Sequence, residues 1–144
     1  MKIYLPDNYP PSSDPVLDLL RFTKTIAIVG LSSNATRPSH EVSAYLQSVG
    51  YRIIPVNPNE REVLGQKCYP RLEDIPDAID IVDVFRRCEE IHPIIDSAIA
   101  IHAKAVWLQL GIVNSSACEA ARTAGLFAVE DACVLLEHKK RRPI

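Results

Sequence analysis

The stretch IAIVGLSSNATRPSHEVSAYL, residues 26–46, carries the pattern that decides the fold. It begins as an apolar, β-branched run, breaks at Gly30 and passes through small hydroxylated residues into a helical pattern from Pro38 or Ser39 to Val49. A continuous apolar run of this kind is typical of a strand that is covered on both faces. The stretch therefore predicts a strand, a loop and a helix, the first part of a βαβ unit.

Apolar runs and helical patterns alternate along the rest of the chain. Further strands are expected at 51–58, around 66–69, and at 80–85, 105–111 and 126–131, and helices at 14–22, 88–102 and 115–125. We expect Ser115 or Ser116 to cap the last of these helices. Since such strands pair in parallel through right-handed crossovers, the alternation predicts an α/β protein with a three-layer, doubly wound, mainly parallel sheet. In such sheets a ligand binds at the carboxyl ends of the strands, near the point where the strand order reverses.

The composition restricts the class of the protein. With 144 residues, 24% of them charged, and a formal net charge of −2, the chain is an ordinary globular domain and is not dedicated to nucleic acid. The beginning of the chain lacks the apolar core of a signal peptide, and no later run approaches the length of a membrane span, so we expect a cytoplasmic protein without a membrane partner. The four cysteines form no C-x-x-C pair, which argues against a zinc site and a disulfide framework.

The loop after the first strand has the chemistry of an anion site. Backbone amides at the start of the helix, together with the positive end of its dipole, favour an anion, and Arg37 adds a forked cation that suits phosphate. Hydroxyl donors are supplied by Ser32, Ser33, Thr36 and Ser39. The spacing alone leaves open the alternative of a polar connection with a serine cap.

Two well-known phosphate loops are absent from this stretch. The pattern G-x-x-x-x-G-K-[ST] does not occur, which excludes a P-loop hydrolase, and the window GLSSNA lacks the glycines of the dinucleotide fingerprint. The second strand ends in Asn57 and Pro58, where an NAD enzyme presents an acid to the ribose, although Glu60 could take that role. An ordinary dehydrogenase is therefore disfavoured but not excluded.

Four motifs of the chain, taken in order, resemble one family. The small stand-alone coenzyme A-binding proteins, relatives of the coenzyme A-binding domain of the succinyl-CoA synthetase alpha subunit, have segments similar to IAIVGLSSNATRPS, YRIIPVNPNEREVLGQKCYPRLEDIP, DIVDVFRR and AVWLQLGIVN. The resemblance implies a Rossmann-like coenzyme A-binding domain at 23–137, after an N-terminal arm and short helix at 1–22. The remaining residues, 138–144, form a basic tail that we expect to be solvated and to which we assign no function.

The resemblance also implies a set of binding residues. Contacts are expected to the pyrophosphate from Gly30, Ser32, Arg37 and Ser39, to the adenosine from Asn57 and Pro58, along the nucleotide and pantetheine path from Phe85, Arg86 and Arg87, and to the pantetheine arm from Gln109 and Gly111. The alternative for the two adjacent arginines is a solvated pair with salt bridges to Glu89 or Glu90. The chain departs from the family's pattern at Ala132, where the family usually has an arginine, and any contact made by that arginine is in doubt here.

No catalytic set is recognisable in the sequence. We interpret the histidines as surface or structural residues, find no nucleophile elbow, and expect Cys133, near the rim of the site, to be a small buried hydrophobe or to form a mixed disulfide with the ligand thiol. We therefore expect a protein that binds coenzyme A or an acyl-CoA without a reaction of its own. The alternatives are a nicotinamide-dependent oxidoreductase, the coenzyme A-binding subunit of a split acyl-CoA ligase, and an interaction protein with a degenerate nucleotide site. A homodimer stays open.

Overall fold

A computed structural model describes residues 1–143 of the protein, and eight strands lie within them. In chain order they are β1 (Lys2–Tyr4), β2 (Thr25–Val29), β3 (Arg52–Val56), β4 (Glu62–Val63), β5 (Gln66–Lys67), β6 (Ile81–Val84), β7 (Ala105–Leu108) and β8 (Phe127–Glu130). Six of them form one sheet in the order β1-β8-β7-β6-β2-β3, in which β1 alone runs antiparallel to its neighbour. The prediction of a mainly parallel sheet is confirmed.

Helices cover both faces of this sheet. They are α1 (Pro15–Phe22), α2 (Pro38–Ser48), α3 (Ile91–Ala100), α4 (Ser115–Thr123) and α5 (Val134–Arg141). Helices α1, α2 and α5 bury one face and α3 and α4 the other, so Ile26 and Ile28 belong to one core cluster while Ala27 and Val29 belong to the opposite one. Alternate side chains of each strand thus enter different layers, which explains why the strands are apolar throughout.

The order of the strands reverses between β2 and β6. From β2 the chain moves outward through α2 to β3, and then returns to the other side of β2, where β6, β7 and β8 follow in turn. Val29 at the end of β2 pairs with Val84 at the end of β6, so the carboxyl ends of these two strands lie side by side. This is the doubly wound arrangement, and it opens a crevice at those two ends.

A short strand lies within the predicted range 66–69, at Gln66–Lys67, but it is not part of the main sheet, so only its expected parallel pairing is wrong. Gln66–Lys67 pairs with Glu62–Val63 in a short antiparallel hairpin, and Tyr69 makes an isolated parallel bridge to Val56. Gly65 adopts a φ of +75°, which a tight turn between such short strands requires. The segment lacks the length of a parallel strand, and its turn folds it back on itself.

The predicted cap of α4 is also wrong by one residue. Asn114, and neither Ser115 nor Ser116, is the N-cap, because its side-chain oxygen accepts a hydrogen bond from the N–H of Ala117 at 3.1 Å. Asparagine and serine are comparable as N-caps, so local preference does not separate adjacent candidates. Tertiary contacts place Asn114 at the cap position, because its N–H donates to Glu130 and its Nδ2 donates to the carbonyl oxygen of Cys88.

Both ends of the chain are more structured than the sequence indicates. The N-terminal arm contains β1, which pairs with the edge of the sheet at β8. Residues 138–141 of the tail are the last part of α5, and the interpretation of the tail as solvated is wrong for His138 and Arg141, whereas Lys139 and Lys140 are exposed. His138 is buried, and the guanidinium of Arg141 forms ion pairs with Asp14 and Glu137. Residue 144 of the predicted tail lies outside the described residues.

Candidate binding cleft

A cleft of about 730 Å³ opens at the carboxyl ends of β2, β6 and β7. Its walls come from the β2–α2 loop, the residues after β6 and β7, and the first turn of α5. Most of the residues predicted to bind the ligand lie in these walls, namely Gly30, Ser32, Arg37, Ser39, Phe85, Arg86, Arg87 and Gln109. The other three, Asn57, Pro58 and Gly111, lie outside them. The parallel sheet thus brings together side chains that are far apart in the sequence.

The β2–α2 loop forms the part of the cleft that is richest in N–H and hydroxyl donors. Gly30 has a φ of +90°, and a Cβ atom there would lie 2.6 Å from the carbonyl oxygen of Phe85, so only glycine fits without moving the chain after β6. The N–H of Ser32 donates to Oγ of the buried Ser39 at 3.1 Å, which holds the loop against the first turn of α2. Arg37 is exposed immediately before α2 and forms no ion pair among residues 1–143. The helix N-terminus and this guanidinium together favour an anion.

Two of the predicted residues outside the cleft support its loops. Nδ2 of Asn57 donates to the carbonyl oxygen of Leu31 at 3.0 Å, which ties the end of β3 to the β2–α2 loop. The N–H of Gly111 donates to Oδ1 of Asp131 at 2.8 Å, which ties the end of β7 to the end of β8. Pro58 is exposed in the turn after β3. Asn57 and Gly111 therefore fix the position of segments that flank the cleft.

Glu60, the acid that could take the place of a ribose-binding residue, is bonded to the same loop. Its carboxylate accepts a hydrogen bond from the N–H of Ser33. Hydrogen bonding from Ser33 holds the pKa of Glu60 below its ordinary value. A ribose would have to displace this contact, so the geometry does not favour Glu60 as an NAD-binding acid.

Two adjacent arginines follow β6 at the mouth of the cleft. Arg86 forms an ion pair with Glu90 at 2.7 Å, with both side chains about two-fifths exposed, and this guanidinium holds the pKa of Glu90 below its ordinary value. Arg87 is exposed and forms no ion pair among the described residues. The alternative of a salt-bridged pair thus holds for one of the two. Because Arg37 and Arg87 keep their charge unpaired, this end of the cleft is cationic.

Gln109 lies in the floor of the cleft and forms a buried polar pair with Asp83, which does not itself line the cleft. Nε2 of Gln109 donates to Oδ1 of Asp83 at 2.6 Å, and the other carboxyl oxygen of Asp83 has no partner among the described residues. Burial raises the pKa of Asp83 to about 7, although the hydrogen bond from Gln109 acts in the opposite direction. The sequence analysis missed Asp83 because an acid inside an apolar strand gives no sign of which face it occupies.

The opposite wall of the cleft is apolar. Leu110 and Leu136 line it and are 66% and 54% exposed, and Ile112 and the half-buried Cys133 lie with them. Leu136 was missed because α5 was not predicted. The spacing of Val134, Leu135 and His138 along one face is the signal that could have revealed this helix.

Ala132, the point of departure from the family's pattern, has a structural part in this protein. Its side chain is buried, and its carbonyl oxygen accepts a hydrogen bond from Nε1 of Trp107 at 2.9 Å. A small uncharged side chain therefore lies in the core at this position, directly before Cys133. Trp107 is fully buried, as expected for a core residue.

Other classes of site find little support in residues 1–143. Neither His40 nor any other histidine lines the cleft. Within the same residues no cluster of three or more His, Cys, Asp or Glu side chains is arranged to hold a metal ion. None of the helices in this part of the chain combines the length and apolar character that crossing a membrane requires.

Comparison with known proteins agrees with the extent of the fold. The model of a family described as CoA binding domain matches residues 24–139. The uncharacterized protein YneT of Bacillus subtilis is 39% identical over 128 residues, which are 89% of this chain and 95% of that protein. The solved structure of a hypothetical protein from Pyrococcus horikoshii OT3 is similar with a TM-score of 0.88, 37% identity and coverage of 99% of both chains.

A small part of a much larger enzyme is also similar. The ADP-forming acetate–CoA ligase II of Archaeoglobus fulgidus is 38% identical over 69 residues, which are 46% of this chain but 10% of the ligase. The likeness thus concerns one segment of that enzyme. The matched family model covers every strand of the parallel part of the sheet and all the walls of the cleft. The chain belongs to the CoA binding domain family.

Proposed function

We propose that the protein binds coenzyme A or an acyl-CoA in this cleft, through a domain that spans residues 23–137, without a reaction of its own. The observation that carries the proposal is the meeting of three arginines, Arg37, Arg86 and Arg87, with the N-terminus of α2 in one cleft. Coenzyme A carries several phosphate charges, and guanidinium groups match phosphate oxygens in geometry as well as charge. Membership of the CoA binding domain family supports the same ligand.

The two ends of the cleft suit the two ends of this ligand. The cationic end, at the β2–α2 loop and after β6, would receive the phosphates. The other end offers the apolar side chains of Leu110, Ile112 and Leu136 beside the amide of Gln109, which suits an arm of methylene and amide groups. Free nucleotides such as ATP have the charge but no such arm, so we expect coenzyme A to bind more tightly.

Similarity to part of an acetate–CoA ligase favours a second candidate, the coenzyme A-binding part of a split acyl-CoA ligase. A ligase of the synthetase type needs a histidine that carries phosphate, and among residues 1–143 none lines the cleft. The phosphorylated group would then come from a partner chain. ATP-dependent formation of acyl-CoA on mixing the protein with an ATP-grasp subunit would support this candidate.

Calorimetric titration with coenzyme A, dephospho-coenzyme A, NAD and ATP tests the proposal. Arg37→Ala should weaken coenzyme A binding by about 1.5–3 kcal/mol, or roughly tenfold to hundredfold, the usual contribution of a charged hydrogen bond. Arg52→Ala is the matched control, because Arg52 is the first residue of β3, at the amino ends of the strands and away from the cleft, and it pairs with Asp77. Tighter binding of NAD would support the oxidoreductase, and failure of all four ligands would refute the proposal.

The remaining expectations form part of the same proposal. All four cysteines are free thiols, which suits the reducing cytoplasm. The net charge of −2 gives no reason to expect a nucleic-acid partner. A homodimer stays a prediction, and light scattering across a concentration series measures it.

A further inference from the structure

A buried acid beside a ligand cleft requires a physical reason. Asp83 is 0% exposed, and leaving its Oδ2 without a partner costs free energy that an apolar residue would avoid. Its neighbours in the sheet, Ile28 and Trp107, are buried and apolar. Within residues 1–143 the side-chain partner of Asp83 is Gln109. The reason for the acid is therefore to be sought in its effect on that amide.

The hydrogen bond from Gln109 fixes which end of its amide faces the cleft. Since Nε2 donates to Asp83, Oε1 points away from the acid. Gln109 lines the cleft, and its Oε1 accepts no hydrogen bond within the described residues. Among the side-chain polar atoms of these residues, only Oγ of Ser43 and Oδ2 of Asp83 are fully buried without a partner, so Oε1 of Gln109 is not fully buried. Oε1 is thus the atom of this side chain that the cleft exposes. The floor presents a hydrogen-bond acceptor in a cleft whose other polar groups are mainly donors.

We propose that Asp83 is a positioning residue, which holds Gln109 so that its Oε1 accepts a hydrogen bond from an amide N–H of the pantetheine arm. The inference rests on the proposed function. An acceptor would repel phosphate oxygens, which are acceptors only, so Oε1 must face another part of the ligand. The secondary amides of pantetheine are N–H donors. The Asp83–Gln109 pair therefore selects ligands that carry this arm over the nucleotide alone.

The experiment compares coenzyme A with its nucleotide half, which has the same phosphates but no pantetheine arm. Both are titrated at about pH 8, where the carboxyl of Asp83, with its pKa of about 7, is charged. The variants are Asp83→Leu, Gln109→Leu and Asp83→Asn. Tyr4→Phe is the control. It removes a buried hydrogen bond from Tyr4 to Glu130, and Tyr4 belongs to the core cluster on the other face of the sheet.

The pantetheine arm should add affinity in the wild type, and that added affinity should depend on the pair. Asp83→Leu and Gln109→Leu should each weaken coenzyme A by about threefold to tenfold, the range of a neutral hydrogen bond, and leave the nucleotide half within about twofold. Asp83→Asn keeps an oxygen that accepts from Nε2, so it should retain the preference for coenzyme A. Tyr4→Phe should leave the ratio of the two affinities unchanged.

Other results overturn the inference in recognisable ways. Equal affinity of the wild type for the two ligands would refute it and leave the proposed function intact. An equal loss of both affinities in Asp83→Leu would assign Asp83 a merely structural role. If Asp83→Leu does not fold, an unchanged ratio in Gln109→Leu still refutes the proposal. Failure of the wild type to bind either ligand would refute the proposed function itself.

Discussion

Asp83→Asn should change how the stability of the protein depends on pH. Burial raises the pKa of Asp83 from 3.8 to about 7, against the effect of the Gln109 hydrogen bond. Between these two pH values the folded protein binds a proton that the unfolded chain has released. A raised pKa contributes stability that is complete below the unfolded value and is lost as the pH rises through the folded one. One pKa unit corresponds to about 1.4 kcal/mol, so the contribution of Asp83 to the stability of the wild type should fall by about 4 kcal/mol over this interval.

Urea denaturation of ligand-free protein, followed by circular dichroism at intervals between about pH 4.5 and 8, measures the effect. Asparagine does not titrate, so the free energy of unfolding of the variant relative to the wild type should rise by about 3 kcal/mol up to pH 7 and then level off. Asp80→Asn is the control. Burial acts to raise the pKa of Asp80, but the hydrogen bonds from the N–H groups of Lys24 and Thr25, together with the ammonium of Lys104, outweigh it and lower this pKa. The corresponding difference for Asp80 should be flat in this range, since its stabilisation is lost only at more acid pH.

A difference between Asp83→Asn and the wild type that does not change with pH would refute the reasoning. It would mean that the carboxyl of Asp83 is already ionised at about pH 4.5. Burial would then not dominate its pKa, and the unpartnered Oδ2 would have a partner in solution. A difference that falls with rising pH would refute the sign of the effect as well.

Three further predictions concern the β2–α2 loop and the C-terminal helix. Gly30→Ala should destabilise the protein by about 1–3 kcal/mol more than Gly65→Ala, because only the first Cβ meets a backbone oxygen, while both positions have a positive φ; thermal unfolding measures both. Arg141→Ala removes ion pairs to two carboxylates and should lower the free energy of unfolding in urea by about 1–3 kcal/mol. Burial lowers the pKa of His138, which shares a hydrogen bond with Tyr45, so the contribution of His138 to stability should fall as the pH drops below 6.5, opposite in sign to that of Asp83. The free energy of unfolding of His138→Gln relative to the wild type should therefore rise as the pH falls through this range.

The parallel strands could be predicted because the information about them is local. Each is buried on both faces, so its residues are apolar throughout and stand out in a short window. Strand β1 has three residues and pairs with β8 at the far end of the chain, a contact that no local pattern contains. Helix α5 was missed because the basic residues Lys139 and Lys140, together with Arg142 just beyond the helix, give this stretch the composition of a solvated tail.

The hydrogen-bond donors and cations of the candidate site could be predicted from the sequence, but the Asp83–Gln109 pair could not. Polar and cationic side chains such as those of Ser32 and Arg37 stand out where an apolar strand ends, and a doubly wound sheet places all such ends together. The Asp83–Gln109 pair depends on register. Asp83 pairs with Trp107 in the neighbouring strand, so Gln109 lies beyond that partner on the same face, and this relation becomes visible only when the two strands are aligned.

The most direct test of coenzyme A binding at this cleft is a titration of isotope-labelled protein with coenzyme A, followed through its amide resonances. We expect shifts concentrated at residues 30–39, 85–87 and 109–112, around the cleft, and little change at the amino ends of the strands, near Thr25 and Arg52. Saturation at these positions would establish both the ligand and its site. Shifts confined to the amino ends of the strands, or no shifts at millimolar coenzyme A, would contradict the proposal.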